Sequence, residues 1–513
     1  MLKNTKSIGL LSAVFIGVSS MIGSGWLYAP LNAAKIAGPA AIYSWIIGAV
    51  VVAALAMLFS EIVSIFPRRG LSSIIVTLSH NKYFGFPFAI ANWLGIVAVI
   101  SLEATASVEY LIHIVPEWEA HLFVKDNFTM LGTSVVIFFI LIYALLNFWG
   151  AKVLVKANNA IVFFKLLIPV ATAILLLLTV YNPDNFIVVN NSFVPYGMSS
   201  IMTAVLAGGI VVTFNGFQAI VSFASEVKEP HKTIPLSILI SVSFTLIIYL
   251  LLQVAFIGAV PSADMAGGYR VLNYEAPMVQ LTALAGLNFM SLILYTDAIV
   301  SPMGTAITFT GASTRMFTAM ARNQQMPKYF DKVDPKIKIS RRSLFANIAL
   351  AIFFVFAFTN WQKLAEMLGI LHIISYLGIP LAFVVMRDKI DKTRYPFRAP
   401  AGQAIAVLLF LVFTYMVTRA TSVTLLEVVT SMAIFQVIFV LLNASSKMAL
   451  KEGFTHSVPL FVFLFVLVLL NEYTHDSNTW FGIGMIALIS FIAFKIFTKL
   501  HINPNLLEDL KMK

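Results

Sequence analysis

Long apolar runs recur along this chain, separated by short polar stretches, and that pattern leaves few folds open. A helix needs about 20 apolar residues to cross the hydrocarbon core of a bilayer. Such runs fall at Ile8–Ala34, Ala40–Phe66, Phe84–Val115, Met130–Phe148, Ala157–Tyr181, Ser199–Ala224 and Pro235–Val260. They continue at Leu281–Phe317, Leu344–Phe358, Leu364–Met386, Ile405–Ala420, Leu425–Leu442, Val458–Leu470 and Phe481–Phe497. The expected fold is therefore an all-α integral membrane bundle of about fourteen transmembrane helices. The ninth and thirteenth runs are the shortest, and the eighth is long enough to tilt or to extend into a loop. Only 11% of the 513 residues are charged, against about 25% in a soluble domain, so too few charges exist to coat a water-facing surface.

The basic residues test that count. Loops after even-numbered runs hold Arg68 and Arg69, Lys152 and Lys156, Lys228 and Lys232, the stretch from Arg315 to Arg342, and the cluster from Arg387 to Arg398. The other loops hold Lys35, Lys125, Arg270, Lys363 and Arg419. With Lys165 set aside, roughly 28 of the 34 Lys and Arg fall on one side, which the positive-inside rule makes cytoplasmic. Both termini are then expected to be cytoplasmic, and the net charge of +11 reports orientation rather than affinity for nucleic acid. Lys3 and Lys6 precede an apolar run too long for the ~7–15-residue core of a signal peptide, so that run is read as a retained first span. With no cysteine, disulfides, thiolate metal sites and cysteine nucleophiles are excluded.

Two runs are interrupted. The first contains Met21-Ile22-Gly23-Ser24-Gly25-Trp26, and the sixth contains Gly208-Gly209 followed by Phe214-Asn215-Gly216-Phe217. Close helix packing through small residues explains either interruption taken alone. Together, five spans apart and running in opposite directions, they fit a five-plus-five inverted repeat with discontinuous helices one and six. Unwound backbone at membrane depth is tolerated where it lines a cavity. Amides at a half-helix N-terminus can hold a carboxylate, and freed carbonyls can hold an ammonium. An amino acid carries both groups.

With these motifs the sequence resembles the amino acid–polyamine–organocation (APC) superfamily. The resemblance rests on Ile22-Gly23-Ser24-Gly25-Trp26 with Ala37-Gly38-Pro39, on Ser60-Glu61 before Phe66-Pro67-Arg68-Arg69-Gly70, and on Ser225-Glu226-Val227-Lys228-Glu229-Pro230 before Thr233-Ile234-Pro235. It continues through Asp297-Ala298-Ile299-Val300-Ser301-Pro302, Ser313-Thr314-Arg315 and Ala321-Arg322-Asn323. Leu102-Glu103, the Asp297–Pro302 stretch and the extra C-terminal spans resemble the bacterial aspartate–proton symporter branch. The resemblance implies a LeuT-like transporter core over residues 1–386, with residues 387–513 forming peripheral spans eleven to fourteen and a short cytoplasmic tail. It also implies that substrate lies between Gly23, Ser24 and Gly25, which take the α-carboxylate, and Phe214, Asn215 and Gly216, whose backbone takes the α-amino group. Phe214 or Phe217 would gate the pocket.

Ionisable residues at membrane depth are expensive and mark functional sites. Lys165 lies within Ile161–Ile168, about nine residues from the inner end of its span, a long reach for snorkelling. Proton-coupled members of the superfamily resemble this, a fifth-span lysine replacing a sodium ion, which makes Lys165 the candidate coupling group. Glu103 and Asp297 are further intramembrane candidates for proton coupling; the alternative for Glu103 is selection against acidic substrates, and for Asp297 a structural hydrogen bond. Glu109 lies closer to the outer end. Glu61 and Glu226 sit near Arg68, Arg69 and Lys228, where gate salt bridges are conceivable and a solvated helix end is the simpler account. His372 and Tyr376 share a face of span ten and are read as packed, hydrogen-bonded residues rather than a relay.

The expected function is secondary active amino acid transport in the cell membrane, coupled to protons, with an acidic amino acid as the resemblance-based substrate. An exchanger for neutral or other amino acids and a transporter-like sensor stay open. No membrane-depth arginine is available for a side-chain carboxylate. A channel would need symmetry-repeated filter residues, and an enzyme a recognisable acid, base or nucleophile set; neither pattern is present. No metal-ligand spacing or nucleotide fingerprint occurs, so no metal or cofactor is expected. The expected partners are the amino acid, protons and lipid.

Overall fold

The computed structural model describes residues 8–66, 70–114, 116–124, 127–149, 151–337, 339–358, 361–474, 480–500, 502–504 and 506. It is helical almost throughout. The first apolar run is two helices, α1 (Leu10–Met21) and α2 (Gly25–Ala37). Next come α3 (Ala41–Ile65), the short α4 (Leu71–Ser79) and the long α5 (Lys82–Ile114). A four-residue helix α6 (Glu119–Leu122) and a small hairpin, β1 (Phe123–Val124) with β2 (Asn127–Phe128), lead to α7 (Met130–Phe148) and α8 (Ala151–Thr179). The sixth run is broken into α9 (Met198–Ala207), α10 (Ile210–Phe214) and α11 (Phe217–Ser222). Then follow α12 (Pro230–Ala259), α13 (Pro277–Leu284), α14 (Asn288–Arg322), α15 (Arg341–Ala357) and α16 (Trp361–Lys389). The C-terminal part holds α17 (Gly402–Val417), α18 (Ser422–Asn443), α19 (Lys447–Thr474) and α20 (Trp480–Phe497).

Local chemistry sets several of these boundaries. Thr129 accepts the Gly132 amide and opens α7, and Ser340 accepts the Ser343 amide and opens α15, both as N-caps. The over-long eighth run resolves into α13 and α14 at Gly286, whose φ of +74° is a conformation that glycine adopts without steric cost.

Ten helical stretches among the described residues are long and apolar enough to cross a membrane, and α1 and α17 are shorter apolar helices. The central positions belong to α5 and α16, whose apolar stretches are buried on nearly every side. A helix hydrophobic all round must be enclosed by others: α14, α16 and α4 pack on α5, while α12 packs on α3. The outer helices α7, α8 and α20 leave most of their apolar surface open. Phe163, Ile247, Leu442 and Trp480 are all strongly exposed. An apolar surface of that extent needs lipid around it.

Candidate functional site

The break between α1 and α2 is the start of the site. Ile22 is extended (φ −100°, ψ 90°) and ends α1 in the middle of the apolar run. The last carbonyls of α1 therefore lack intrahelical partners, a deficit every helix end carries. Side chains from three other helices make it good. Lys165 of α8 donates to Ser19 O at 2.6 Å and to Thr305 Oγ1 at 2.8 Å. Thr305 of α14 in turn donates to Ser19 O at 2.7 Å, and Tyr249 of α12 donates to Met21 O at 3.0 Å. A cation at a helix C-terminus is also favoured by the helix dipole. Gly304 makes room for α8: a Cβ there would stand 2.8 Å from Ile161 Cγ2 and 3.3 Å from both Cδ and Nζ of Lys165.

The other side of the break presents an amide instead. Ser24 N–H donates to Glu103 Oε2 of α5 at 2.7 Å, and Ser24 Oγ accepts from Trp361 Nε1 of α16 at 2.9 Å. Glu103 and Lys165 are both buried. Among the described residues, the carboxylates that act on the Lys165 ammonium are those of Glu103 and Asp297. Asp297 is 1% exposed. The indole of Trp26 faces its carboxyl group, which has no other hydrogen-bond partner among the described residues. Asp297, Ser301 and Thr305 recur every four residues on α14 and so share one face.

A small cavity of about 20 Å³ lies at this junction, lined in part by Gly23, Gly25, Glu103, Thr213, Thr305 and Trp361. That is room for about one water molecule. Trp361 also walls a vestibule of about 510 Å³ that includes Tyr28, Lys35, Glu109, Glu119 and Glu275. The partition between the two spaces is a stack of Tyr28 on Trp361, ring centroids 5.0 Å apart. Glu109 ties it together by accepting from Tyr28 Oη at 3.1 Å and from Trp361 N–H at 3.2 Å.

The second break lies against the first. A Cβ on Gly216 would come within 2.7 Å of Met21 N, so only glycine lets these backbones meet. Gly209, at φ +83°, separates α9 from α10. Asn215 is engaged by α16: its Nδ2 lies 2.8 Å from His372 Nε2, and its Oδ1 accepts from Tyr376 and from Gln218 Nε2 at 2.9 Å. His372 and Tyr376 are thus hydrogen-bonded and packed. Phe214 sits edge-on to Trp45 and Tyr249, and Phe217 lies against Phe59 and Tyr376. Gly23, Gly25, Glu103 and Thr305 therefore face the cavity, while Phe214, Asn215, Gly216 and Phe217 stand behind it.

Further contacts tie the start of the described chain and α3 to other helices. Ile8 bridges to Val227, with Ile8 N–H donating to Glu226 O at 3.1 Å and Lys228 N–H to Ile8 O at 2.8 Å. Arg315 Nε donates to Glu226 Oε1 at 2.9 Å, and its guanidinium lies 4.1 Å over the Phe223 ring. Glu61 is not a solvated helix end but is 1% exposed, paired with Arg387 Nε at 2.7 Å and Nη2 at 2.8 Å. Arg68 and Arg69, the neighbours in sequence, lie outside the described residues.

The model of the family described as amino acid permease matches residues 8–442. The chain belongs to that family. It is therefore a multi-pass membrane transporter of amino acids and not an enzyme. It is 38% identical over 409 residues to the glutamate/serine transporter AimA of Bacillus subtilis, covering 79% of this chain and 76% of that one. It is 30% identical over 416 residues to the aspartate-proton symporter of the same organism, covering 80% and 79%. It is 24% identical to the branched-chain amino acid permease BcaP, also of Bacillus subtilis, covering 79% and 87%.

Sequence reasoning passed over Thr305, Ser301, Thr213 and Trp361. For the first two a signal exists: hydroxyls spaced four apart with Asp297 in an apolar helix. Trp361 carries none, being the first residue of its helix. A close approach in the permease gives a direct prediction. A Cβ on Gly23 would overlap the Glu103 carboxylate and stand 2.8 Å from Thr305 Oγ1, so Gly23→Ala must push Glu103 away from Ser24. Overpacking of this kind costs about 1–3 kcal/mol. Uptake in cells, normalised to membrane-inserted protein, should fall to background; uptake at the wild-type rate would contradict this close approach.

Proposed function

We propose that this permease is a proton-coupled symporter of the cell membrane whose substrate is an acidic amino acid. The observation that carries the proposal is the Lys165 ammonium, which ties the broken end of α1 to α14 through Ser19 O and Thr305 Oγ1. A proton lost from Lys165 removes the positive charge that strengthens both bonds and faces the C-terminal end of α1, so protonation and the geometry of the break are linked. Glu103 and Asp297 complete the coupling group. The likeness to a protein named an aspartate-proton symporter supports the coupling and the substrate class.

In this reading the fold is the five-plus-five inverted repeat, with about fourteen crossings, both termini cytoplasmic and spans eleven to fourteen outside a core of residues 1–386. The abutting breaks, joined backbone to backbone at Gly216 and Met21, support it. The vestibule above Trp361 then faces outward, and the end that holds Glu226 and Arg315 faces the cytoplasm. The α-carboxylate is received at Gly23, Ser24 and Gly25, and the α-amino group by the backbone of Phe214, Asn215 and Gly216, with Phe217 behind it.

A second reading, transport of a neutral amino acid such as serine, is favoured by one feature: among the described residues, no arginine or lysine lines the small cavity. Competition of unlabelled amino acids against uptake of labelled L-glutamate and L-serine in proteoliposomes, with and without an inward-acid gradient, separates the two. Glutamate and aspartate should compete best and uptake should rise with the gradient. Indifference to the gradient would rule out proton coupling.

A further inference from the structure

A carboxylate already holds the amide that a substrate carboxylate would need. Ser24 N–H, at the N-terminus of α2, donates to Glu103 Oε2 at 2.7 Å. Glu103 is 4% exposed, reaches this point from α5, and lines the same small cavity as Gly23 and Gly25. The fit is close enough that any side chain on Gly23 would overlap the Glu103 carboxylate. We infer that Glu103 is a built-in competitor, occupying the carboxylate position of the substrate site until the substrate's own carboxylate displaces it. This rests on the reading that the α-carboxylate binds at the α2 N-terminus.

The physical case has three steps. One amide hydrogen makes one strong bond, so two carboxylates cannot both be satisfied by Ser24 N–H. Two like charges at that distance in a dry site repel strongly. And the cavity, at about 20 Å³, does not admit a carboxylate while Glu103 stays in place. Substrate entry therefore has to move Glu103 off Ser24. Glu103 has one other electrostatic partner ready, the Lys165 ammonium. A displaced Glu103 side chain thus swings toward the coupling lysine, and occupancy of the substrate site is felt there. Glu103 is a specificity and positioning residue in this account: its competition weakens binding and excludes ligands that lack a carboxylate able to replace it.

The test is equilibrium binding of L-glutamate and L-serine, and of the α-methyl esters of both, to purified wild type, Glu103→Gln and Glu103→Ala. Gln keeps the shape and loses the charge; Ala removes the acceptor altogether. Both variants should bind the free amino acids more tightly than wild type, Ala by about tenfold, which is the equivalent of about 1.4 kcal/mol. A variant with a merely damaged site would bind more weakly, so the direction of the change separates competition from structural loss. Unchanged or weaker binding in both variants overturns the inference, and weaker binding would make Glu103 a ligand of the substrate. The esters test the underlying reading separately. They should fail to bind wild type, and ester binding equal to that of the free acid would overturn the carboxylate placement itself. If neither amino acid binds any of the three proteins, the substrate reading falls and this inference with it.

Discussion

Lys165→Met is expected to leave a permease that exchanges substrate but cannot concentrate it. The ammonium makes its two short bonds at the broken end of α1, to Ser19 O and to Thr305 Oγ1 of α14. Methionine is unbranched like lysine, one atom shorter, and carries no titratable proton. Thr305 still donates its hydroxyl hydrogen to Ser19 O at 2.7 Å, with Ile22 O at 3.3 Å as the other acceptor in reach, so the break retains a partner and the fold survives. What disappears is the group whose protonation is linked to the break. With the membrane potential clamped at zero, a gradient of one pH unit can supply about 1.36 kcal/mol per coupled proton, enough for about tenfold accumulation. In proteoliposomes the wild type should approach that ratio, and Lys165→Met should stay near one. Counterflow of labelled substrate, which needs no coupling, should persist in the variant. Accumulation by Lys165→Met equal to that of wild type would remove Lys165 from the coupling role and leave Glu103 and Asp297 as the candidates.

The sequence made this part of the site readable for a physical reason. A lysine inside a long apolar run has no cheap explanation, because lipid does not solvate it, and two glycine-rich interruptions in opposed spans are hard to reconcile with continuous helices. Both signals are local. The features that stayed hidden are long-range. Thr305 and Ser301 are ordinary hydroxyls in a membrane helix until α1 ends beside them. Asn215 reads as a backbone-site residue, yet its side chain is taken by His372 and Tyr376 of α16, some 160 positions away. Glu61 and Glu226 lie next to arginines and lysines in the chain, which invited local pairing or plain solvation. Their partners are instead Arg387 and Arg315, and nothing in the spacing of charges singles those two out from the other basic residues on the same side. The helix pattern fared better than the pairing pattern because periodicity and glycine act within a turn or two, whereas ion pairs depend on which helices adjoin.

The Glu61–Arg387 pair carries the largest expected effect on stability. Glu61 is 1% exposed and accepts three short bonds: from Arg387 Nε at 2.7 Å, from Arg387 Nη2 at 2.8 Å and from Ala399 N–H at 2.6 Å. Arg387 Nη2 also donates to Ala399 O at 2.7 Å. The pair thus fastens α3 to α16 and to the segment that leads into α17. Breaking a buried pair from one side strands a charge and costs about 3–5 kcal/mol. Arg387→Met should therefore lower the thermal unfolding midpoint sharply, since Glu61 keeps its charge and loses its counter-ion. Glu61→Gln/Arg387→Met should recover most of that loss: the stranded charge is gone, and the amide oxygen of the introduced glutamine can still accept from Ala399 N–H. The double-mutant cycle, read from detergent-purified protein, isolates the coupling between the two sites. Strict additivity, with the double variant no more stable than the sum of the single losses, would mean that the pair is a by-product of packing and that other contacts hold α3 to α16. Recovery would mean that the charge pair fixes how these helices meet while contributing little beyond what a neutral pair supplies.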